Sequence, residues 1–583
     1  MTGLARIVGR SVIGALWGAL GAVWLLEPLL LGAQHLVPRT ASHWLLVHAL
    51  MTAIGAAFGA AAAVPIGACL TLWGHGRRRL AHDVEWHLAL AIGPLLVPTW
   101  LLMSYVLQVV LVRSFAAPGW DVVGPAIGLT ALFGAINGWV YRRVACRVPR
   151  PRVRMLAGLL IAGLGAGAVL HPLRFGMGAL AVAYDDAPLV RVGAGRAAPL
   201  LVVGIDGANW RTLEPLLQQG RLPTFARLLR QGVQGEMHAS WSPYWSSPAW
   251  AAMMTGYSRE ANGWYGDLAV VAPGLPPFDA PQERHVVLDP IHLLQWGLAM
   301  ADVIRFVPPA RDVLRRPLVW ERLAQAGVDS GVLRFDFTYP ATGQARFVVS
   351  NHIGTDTWAL ALSRPEAAAD AATPDAVTAG LVQPFAAPFD PVEYATLLAG
   401  TPRRPPDLRL DPFPVLRVAY DCDRDTFDAA QQLVRTQPDL PVQFLYIGGF
   451  DAVCHHFWQY RFPDDYGATR PAAEDVAALA AVIDDYLVFV DRHLGALLDS
   501  YPRPPNVLLM SDHGHAATFQ HPTFRAWHDP HGVFLAAGPD VRAGTDRLSV
   551  SYFEITPTVL DLLGFEKPVE MQGHSLLPFG TAD

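Results

Sequence analysis

The sequence predicts an α/β fold, a mainly parallel sheet flanked by helices, preceded by a five-helix transmembrane region. Three observations predict it. The chain has 583 residues, more than one ordinary domain holds. Hydrophobic residues make up 52% and charged residues only 16%, against about 25% charged in typical soluble domains, and the apolar excess falls in the first ~185 residues. From residue 199 onward, short apolar runs alternate with amphipathic stretches, the pattern of strands and helices around a parallel sheet.

Within residues 1–185, five apolar spans lie at roughly 12–33, 46–73, 88–112, 122–140 and 155–171. Each approaches or exceeds the ~20 residues that cross a hydrocarbon layer. Further spans follow the first and no small-residue cleavage site is evident, which argues against a cleaved signal peptide. Arg6 and Arg10 precede the first span, Arg77, Arg78 and Arg79 separate the second from the third, and "YRRVACRVPRPRVR" separates the fourth from the fifth. The other two loops carry only Arg39 and Arg113. This alternation places the N-terminus in the cytoplasm. An odd number of spans then puts the rest outside it, in a cell (inner) membrane protein with an extracytoplasmic domain. Glu27, inside the first span, reads either as an acid near the outer interface or as a buried functional group.

Residues 186–198, "DAPLVRVGAGRAA", read as a linker, and 199–583 as the outer domain. "PLLVVGID" is a buried strand, and "RTLEPLLQQGRLPTFARLLRQG" is helical with a break at Leu222-Pro223. "PLVWERLAQAG" is a helix stopped by glycine and "DSGVLRFDF" a strand. Residues 363–380, poor in apolar bulk, read as a mobile insertion or surface loop. "VQFLYI" is a strand, "AALAAVIDDYLVFVDRHLGALLDSY" a long helix with an apolar stripe, and "NVLLMSD" and "GVFLAAG" are strands. The net charge of −6 leaves no basic footprint for nucleic acid. Of four cysteines, Cys69 sits in a span, Cys146 in a cytoplasmic loop, and Cys422 and Cys454 in the outer domain, where pairing is open.

Ligands of open α/β sheets bind beyond the carboxyl ends of the strands. Asp206 follows one strand; Asp451, with His455 four residues on, follows another; Ser511, Asp512 and His513 follow a third. Carboxylate and imidazole are zinc-binding groups, and an i, i+4 pair on a helix shares one face. A lone strand-end aspartate is ordinarily a turn former; three in one topological position point to a metal site. Between them, "WSPYWSSPAWAAMMTG" opens a helix that Gly256 closes, with Ser247 fitting the N-cap and Pro248 the first helical position. A serine at a helix N-terminus beside a cation is also a candidate nucleophile. Cys454, between two candidate ligands, reads as facing the core.

"VVGIDGANWRTLEPLLQQGRLPTFARLLRQG", "SSPAWAAMMTGYSREANGWYG", "FDAVCHHFW", "MSDHGH" and "WHDPHGVFLAAGPDV" resemble, in order, the blocks of the alkaline phosphatase superfamily. The likeness is greatest to its type I phosphodiesterase/nucleotide pyrophosphatase branch, and "YFEITPTVLDLLG" with "MQGHSLLP" is similar to that branch's C-terminal block. The resemblance runs from about 199 to 580 and leaves out the apolar N-terminal region. It implies two divalent metal ions, usually zinc. Asp206, Asp512 and His513 would hold one together with the nucleophile oxygen, and Asp451, His455 and His528 the other. Counting back from Thr255-Gly256 puts the nucleophile at Ser246, with Ser247 in reserve; His531 is the alternative to His528, and His456 is left to packing.

Two departures matter. The sulfatase relatives carry an arginine two residues after the proline; Trp250 stands there, which argues against sulfate esters. Nucleotide pyrophosphatases place a phosphate-binding asparagine where this chain has about Gly266-Asp267, which argues against nucleotide substrates. Trp241, Tyr244, Trp245, Trp250, Trp264 and Tyr265 crowd the serine, as packing or as an apolar or sugar-binding wall. The resemblance implies a divalent-metal-dependent phosphodiesterase or phosphatase working through a phosphoserine; the apolar spans add a membrane anchor, and an aromatic wall beside them would suit a lipid- or glycan-linked phosphoester. Its rivals are a phospho-headgroup transferase and a non-catalytic membrane protein retaining the fold.

Overall fold

The computed structural model describes residues 188–577, apart from 194, 196–197, 241–244, 265, 267–268, 272–277, 280–304, 308–309, 342, 354–369, 399–412 and 519–524. The five apolar spans, Glu27, Cys69 and Cys146 lie outside the described residues, as do Trp241, Tyr244, Tyr265 and Asp267. Among the described residues no helix is long and apolar enough to cross a membrane. The chain divides into two compact units, and everything below belongs to the one formed by Tyr184–Val270 and Phe306–Asp583.

In chain order this unit carries strand β1 (Val190–Arg191), strand β2 (Leu200–Ile205), helices α1 (Trp210–Gln218) and α2 (Pro223–Gln231), and strand β3 (Gly232–His238). Helices α3 (Ser246–Thr255) and α4 (Val319–Gln325) and strands β4 (Ser330–Leu333) and β5 (Phe347–Val349) follow. Then come helix α5 (Phe413–Thr436), strand β6 (Val442–Ile447), and helices α6 (Gly449–Arg461) and α7 (Val482–Ser500). Strands β7 (Asn506–Met510), β8 (Gly514–Ala517), β9 (Ala526–Asp529), β10 (His531–Ala537) and β11 (Arg547–Ser551), helix α8 (Ile555–Leu562) and strand β12 (Phe565–Glu566) complete it.

Eight strands form the central sheet in the order β11-β3-β10-β7-β2-β6-β4-β5. β10 runs antiparallel to both neighbours, and the remaining pairs are parallel. The mixed α/β architecture with a large central sheet agrees with the alternation of apolar runs and amphipathic stretches. Because strand side chains alternate between faces, Leu201, Val203 and Ile205 of β2 enter one core with Phe225, Tyr420, Phe457 and Leu487 of α2, α5, α6 and α7. Leu200 and Val202 enter a second with Trp250, Trp320 and Leu560 of α3, α4 and α8. The sheet is thus buried on both faces, which is why its strands read as continuous apolar runs.

Local signals place several ends. Pro223 opens α2 at its first position, so the break at Leu222-Pro223 divides two helices. Within 363–380, read from sequence as a loop, Pro374–Thr378 is a short helix. Thr373 caps it by accepting from the Ala376 N–H, with Pro374 at the first position, an N-terminal signal that outweighs the low apolar content. β1 lies within the stretch read as a linker and pairs antiparallel with β12. Cys422 and Cys454 are separate buried thiols; Cys454 packs in the core, where burial pushes its thiol well up.

The topology matters for chemistry because β2, β6 and β7 are adjacent and parallel, so Asp206, the start of α6 and Asp512 emerge side by side at one edge. β10 enters from that edge, preceded by the β8–β9 ribbon.

Candidate functional site

Asp206, directly after β2, is fully buried. One carboxylate oxygen accepts from the Tyr446 hydroxyl and from Trp250 Nε1 at 3.2 Å, and the other faces Ser246 Oγ at 3.3 Å. His513 Nε2 lies 3.0 Å from Ser246 Oγ, 3.3 Å from Asp206 and 3.2 Å from Asp512. Asp206, Asp512 and His513 form one buried cluster with ligand atoms close enough to share an ion. Ser246 Oγ joins it.

The sequence expectation for α3 shifts in register. Trp245, not Ser247, is the N-cap; the helix starts at Ser246, and Pro248 is its third residue. The physical reason is that neither hydroxyl caps the helix. Ser246 faces the carboxylates, and Ser247 donates to Asp336 at 2.9 Å. The missing proline N–H still falls among the first four, which have no intrahelical partner. The positive end of α3 therefore points at Ser246.

The second cluster gathers Asp451, His513, His515 and His528. His455, the i, i+4 partner of Asp451, lies with them: its Nε2 is 3.4 Å from Asp451 Oδ1 and 3.1 Å from His528 Nε2. His528 Nε2 is 3.7 Å from the same Asp451 oxygen. His531 does not join; it is half exposed and paired with Asp529 at 2.8 Å. His515, which the strand-end reading passes over, places Nε2 3.0 Å from Asp451 Oδ1. A signal for it exists, since His513 and His515 are two residues apart where a strand begins, the spacing of one face.

Three of these imidazoles are oriented alike. His455 Nδ1–H donates to the Ala526 carbonyl at 2.8 Å, His513 Nδ1–H to Gly514 at 3.0 Å, and His515 Nδ1–H to Gly207 at 3.1 Å. That fixes the tautomer and turns each Nε2 lone pair inward, the carbonyl-to-histidine support typical of metal ligands. Burial holds His455 down at about 4 and His513 at about 3, so both are neutral near pH 7.

The carboxylates tell the same story. Burial and the neighbouring Asp512 and Asp451 charges push Asp206 well above the usual range, and burial with Asp451 raises Asp512 to about 8. Burial also opposes the Asp451 charge, but His455 and the other imidazoles draw that carboxyl well below its ordinary value. Both oxygens of Asp451, Oδ2 of Asp512 and Nε2 of His515 are buried without a hydrogen-bond partner. Unpaired buried polar atoms are costly, and converging carboxylates and lone pairs are what a divalent cation satisfies. The residues present fit such ions.

Positioning comes from the turn before α6. Asp423 of α5 accepts the Gly449 N–H at 3.1 Å on each oxygen and the Tyr486 hydroxyl at 2.8 Å. A Cβ at Gly449 would meet Tyr486 Oη at 2.0 Å, so only glycine lets the turn seat Asp451 this deeply. Of the aromatics singled out near the serine, Trp245, Trp250 and Trp264 are buried. Trp250 packs edge-on against Phe335 and Tyr446, and Trp264 against Phe337, so both rings pack in the core, and Trp250 in addition donates to Asp206.

Residues 200–552 match the family model described as type I phosphodiesterase / nucleotide pyrophosphatase. Among curated proteins, the 2,3-bisphosphoglycerate-independent phosphoglycerate mutase of Paracoccus denitrificans is 26% identical over 159 residues, covering 26% of this chain and 28% of that protein. The mutase of the same name from Parasynechococcus marenigrum is 32% identical over 136 residues, covering 21% and 24%. The chain thus spans about a quarter of the length of these curated relatives. Among solved structures, alkaline phosphatase PafA aligns with a TM-score of 0.40 at 11% identity, covering 66% of this chain and 99% of that one.

Proposed function

Since the chain belongs to the type I phosphodiesterase / nucleotide pyrophosphatase family, we propose that it is a divalent-metal-dependent phosphoric ester hydrolase with Ser246 as nucleophile. One observation carries this reading: three carbonyl-anchored imidazoles and three buried carboxylates converge beside a serine hydroxyl at a helix N-terminus. Asp206, Asp512, His513 and Ser246 Oγ would hold one ion, and Asp451, His455 and His528 a second, both zinc. When bound, such ions supply Lewis-acid stabilisation of the serine alkoxide, the phosphoryl oxygens and the departing oxygen.

The chain's own residues do the rest. Ser246 Oγ loses its proton and forms the bond to phosphorus, the ester P–O bond breaks with its electron pair leaving on the oxygen, which takes up a proton from solvent, and water then cleaves the phosphoserine to return the hydroxyl and release phosphate or its monoester. The N-terminus of α3 favours negative charge on Ser246 Oγ and on the phosphoryl group. Trp250 and Tyr446, both donating to Asp206, hold that carboxylate facing the serine. Asp423 and Gly449 hold Asp451 in place through the turn between them.

The proposal includes membrane anchoring through the apolar spans of residues 1–185, with the domain extracytoplasmic and the substrate a lipid- or glycan-linked phosphoester. The arginine alternation between spans supports that topology. The test is turnover of bis-p-nitrophenyl phosphate and p-nitrophenyl phosphate by purified full-length protein in detergent, with zinc or manganese, with chelator, and as Ser246→Ala. Metal-dependent turnover lost in the variant is expected, and the diester-to-monoester ratio names the class. A folded protein that binds no metal would overturn the reading.

A further inference from the structure

We infer that His515 is a direct ligand of the ion held by Asp451, giving that site four protein donors: Asp451, His455, His515 and His528. The inference deepens the two-ion reading above and rests on it.

His515 has no place among the ligands implied by family resemblance, which take one histidine, His513, from "SDHGH". The fold brings His515 to the site through the β8–β9 ribbon, where it lies directly across from His528. It is 4% exposed. Its Nδ1–H is committed to the Gly207 carbonyl, so in the neutral ring Nε2 is a lone pair. That lone pair stands 3.0 Å from Asp451 Oδ1, yet neither atom has a hydrogen-bond partner. Two buried acceptors facing each other repel unless a cation lies between them. The local sequence makes room for this ring. Gly207 has φ +71°, and a Cβ there would sit 2.4 Å from His515 Cε1 and 3.1 Å from Asp451 Oδ1. The His455 ring, edge-on with its centroid 5.0 Å away, and the Trp458 ring, tilted by 34° at 5.7 Å, pack against the imidazole.

The alternative role for His515 is that of a charged hydrogen-bond donor to Asp451. It would need Nε2–H donating to the carboxylate, and neither Nε2 nor Asp451 Oδ1 has a hydrogen-bond partner. The ligand role has a consequence for the site. Four protein donors would hold the Asp451 ion more tightly than the three implied by the resemblance, and would match in number the Asp206, Asp512, His513 and Ser246 Oγ set.

The experiment is competition of zinc between a chromophoric chelator and the metal-free full-length protein, wild type and His515→Gln. Glutamine keeps a hydrogen-bonding side chain but is a poor zinc ligand. The inference expects two ions in the wild type, with one weakened at least about tenfold in the variant and the other unchanged. Both affinities within twofold of wild type would overturn it. Wild-type protein that takes up no zinc would instead overturn the two-ion reading on which it rests. X-ray absorption of the wild-type two-zinc protein provides a check that needs no variant. Four imidazoles over two ions average about two per zinc, and three average about one and a half. The lower count removes His515 from the ligands.

Discussion

Asp423→Asn isolates the group that seats Asp451 and should gain stability over the wild type as pH rises. Asp423 is 2% exposed, and burial raises its carboxyl to about 7 against the pull of the Tyr486 hydroxyl and the Gly449 N–H. In the unfolded chain an aspartate titrates near 3.9, so the folded value lies about 3 units higher, or about 4 kcal/mol at about 1.4 kcal/mol per unit. Between pH ~4 and ~7 the folded protein keeps a proton that the unfolded chain has released, so this group's contribution falls as pH rises and is gone above ~7. Asparagine mimics the protonated form at every pH, retaining a carbonyl oxygen for the Gly449 N–H. Relative to wild type, the variant should therefore gain up to about 4 kcal/mol between pH 4 and pH 8. The assay is chemical denaturation of metal-free full-length protein, followed by tryptophan fluorescence, for both proteins at several pH values in that range. Because every other titrating group is common to the two, the difference reports Asp423 alone. A difference independent of pH, or one growing in favour of the wild type, would refute the reasoning.

Ser246→Ala should lose phosphodiester turnover by at least about a thousandfold. Ser247→Ala, whose hydroxyl donates to Asp336, should stay within about tenfold; equal losses in steady-state assays would remove Ser246 from its role. Stripping the ions with chelator should lower the melting temperature, since ions at a thousand times their dissociation constant add about 4 kcal/mol. A thermal scan unmoved by chelator would show that the carboxylates at the strand ends do not need a cation. Gly449→Ala places a Cβ 2.0 Å from Tyr486 Oη and 2.9 Å from the Ala419 carbonyl. It should cost about 3 kcal/mol or more, whereas Gly220→Ala, with no atom within 4 Å but φ +70°, should cost about 1–2 kcal/mol. Equal costs by denaturation would show that the turn before α6 yields freely.

What sequence made legible here is what local chemistry controls. An acid placed directly after a buried strand is placed by the strand itself, so Asp206 and Asp512 could be read without knowing the strand order. Asp451 and His455 needed only the i, i+4 spacing on α6. Other features depended on which strands became neighbours. Trp250 sits on α3 and Tyr446 on β6, and nothing in either segment announces that both will donate to Asp206. The start of α3 departs from the capping expectation because capping rules treat a serine before proline as the helix's own, while Asp206 and Asp336 claim the two hydroxyls. His515 escaped for a related reason. It lies past the end of β7 in a two-stranded ribbon, whose register with β9 sets it across from His528. The glycine that admits its ring, Gly207, is more than three hundred residues away in sequence. Both mutual misses fall where side chains from distant segments meet, and that is where a buried charge must find its partner or its ion. The unpartnered atoms of Asp451, Asp512 and His515 are therefore the part of this site that only the fold could reveal, and they are the part that most directly calls for a metal.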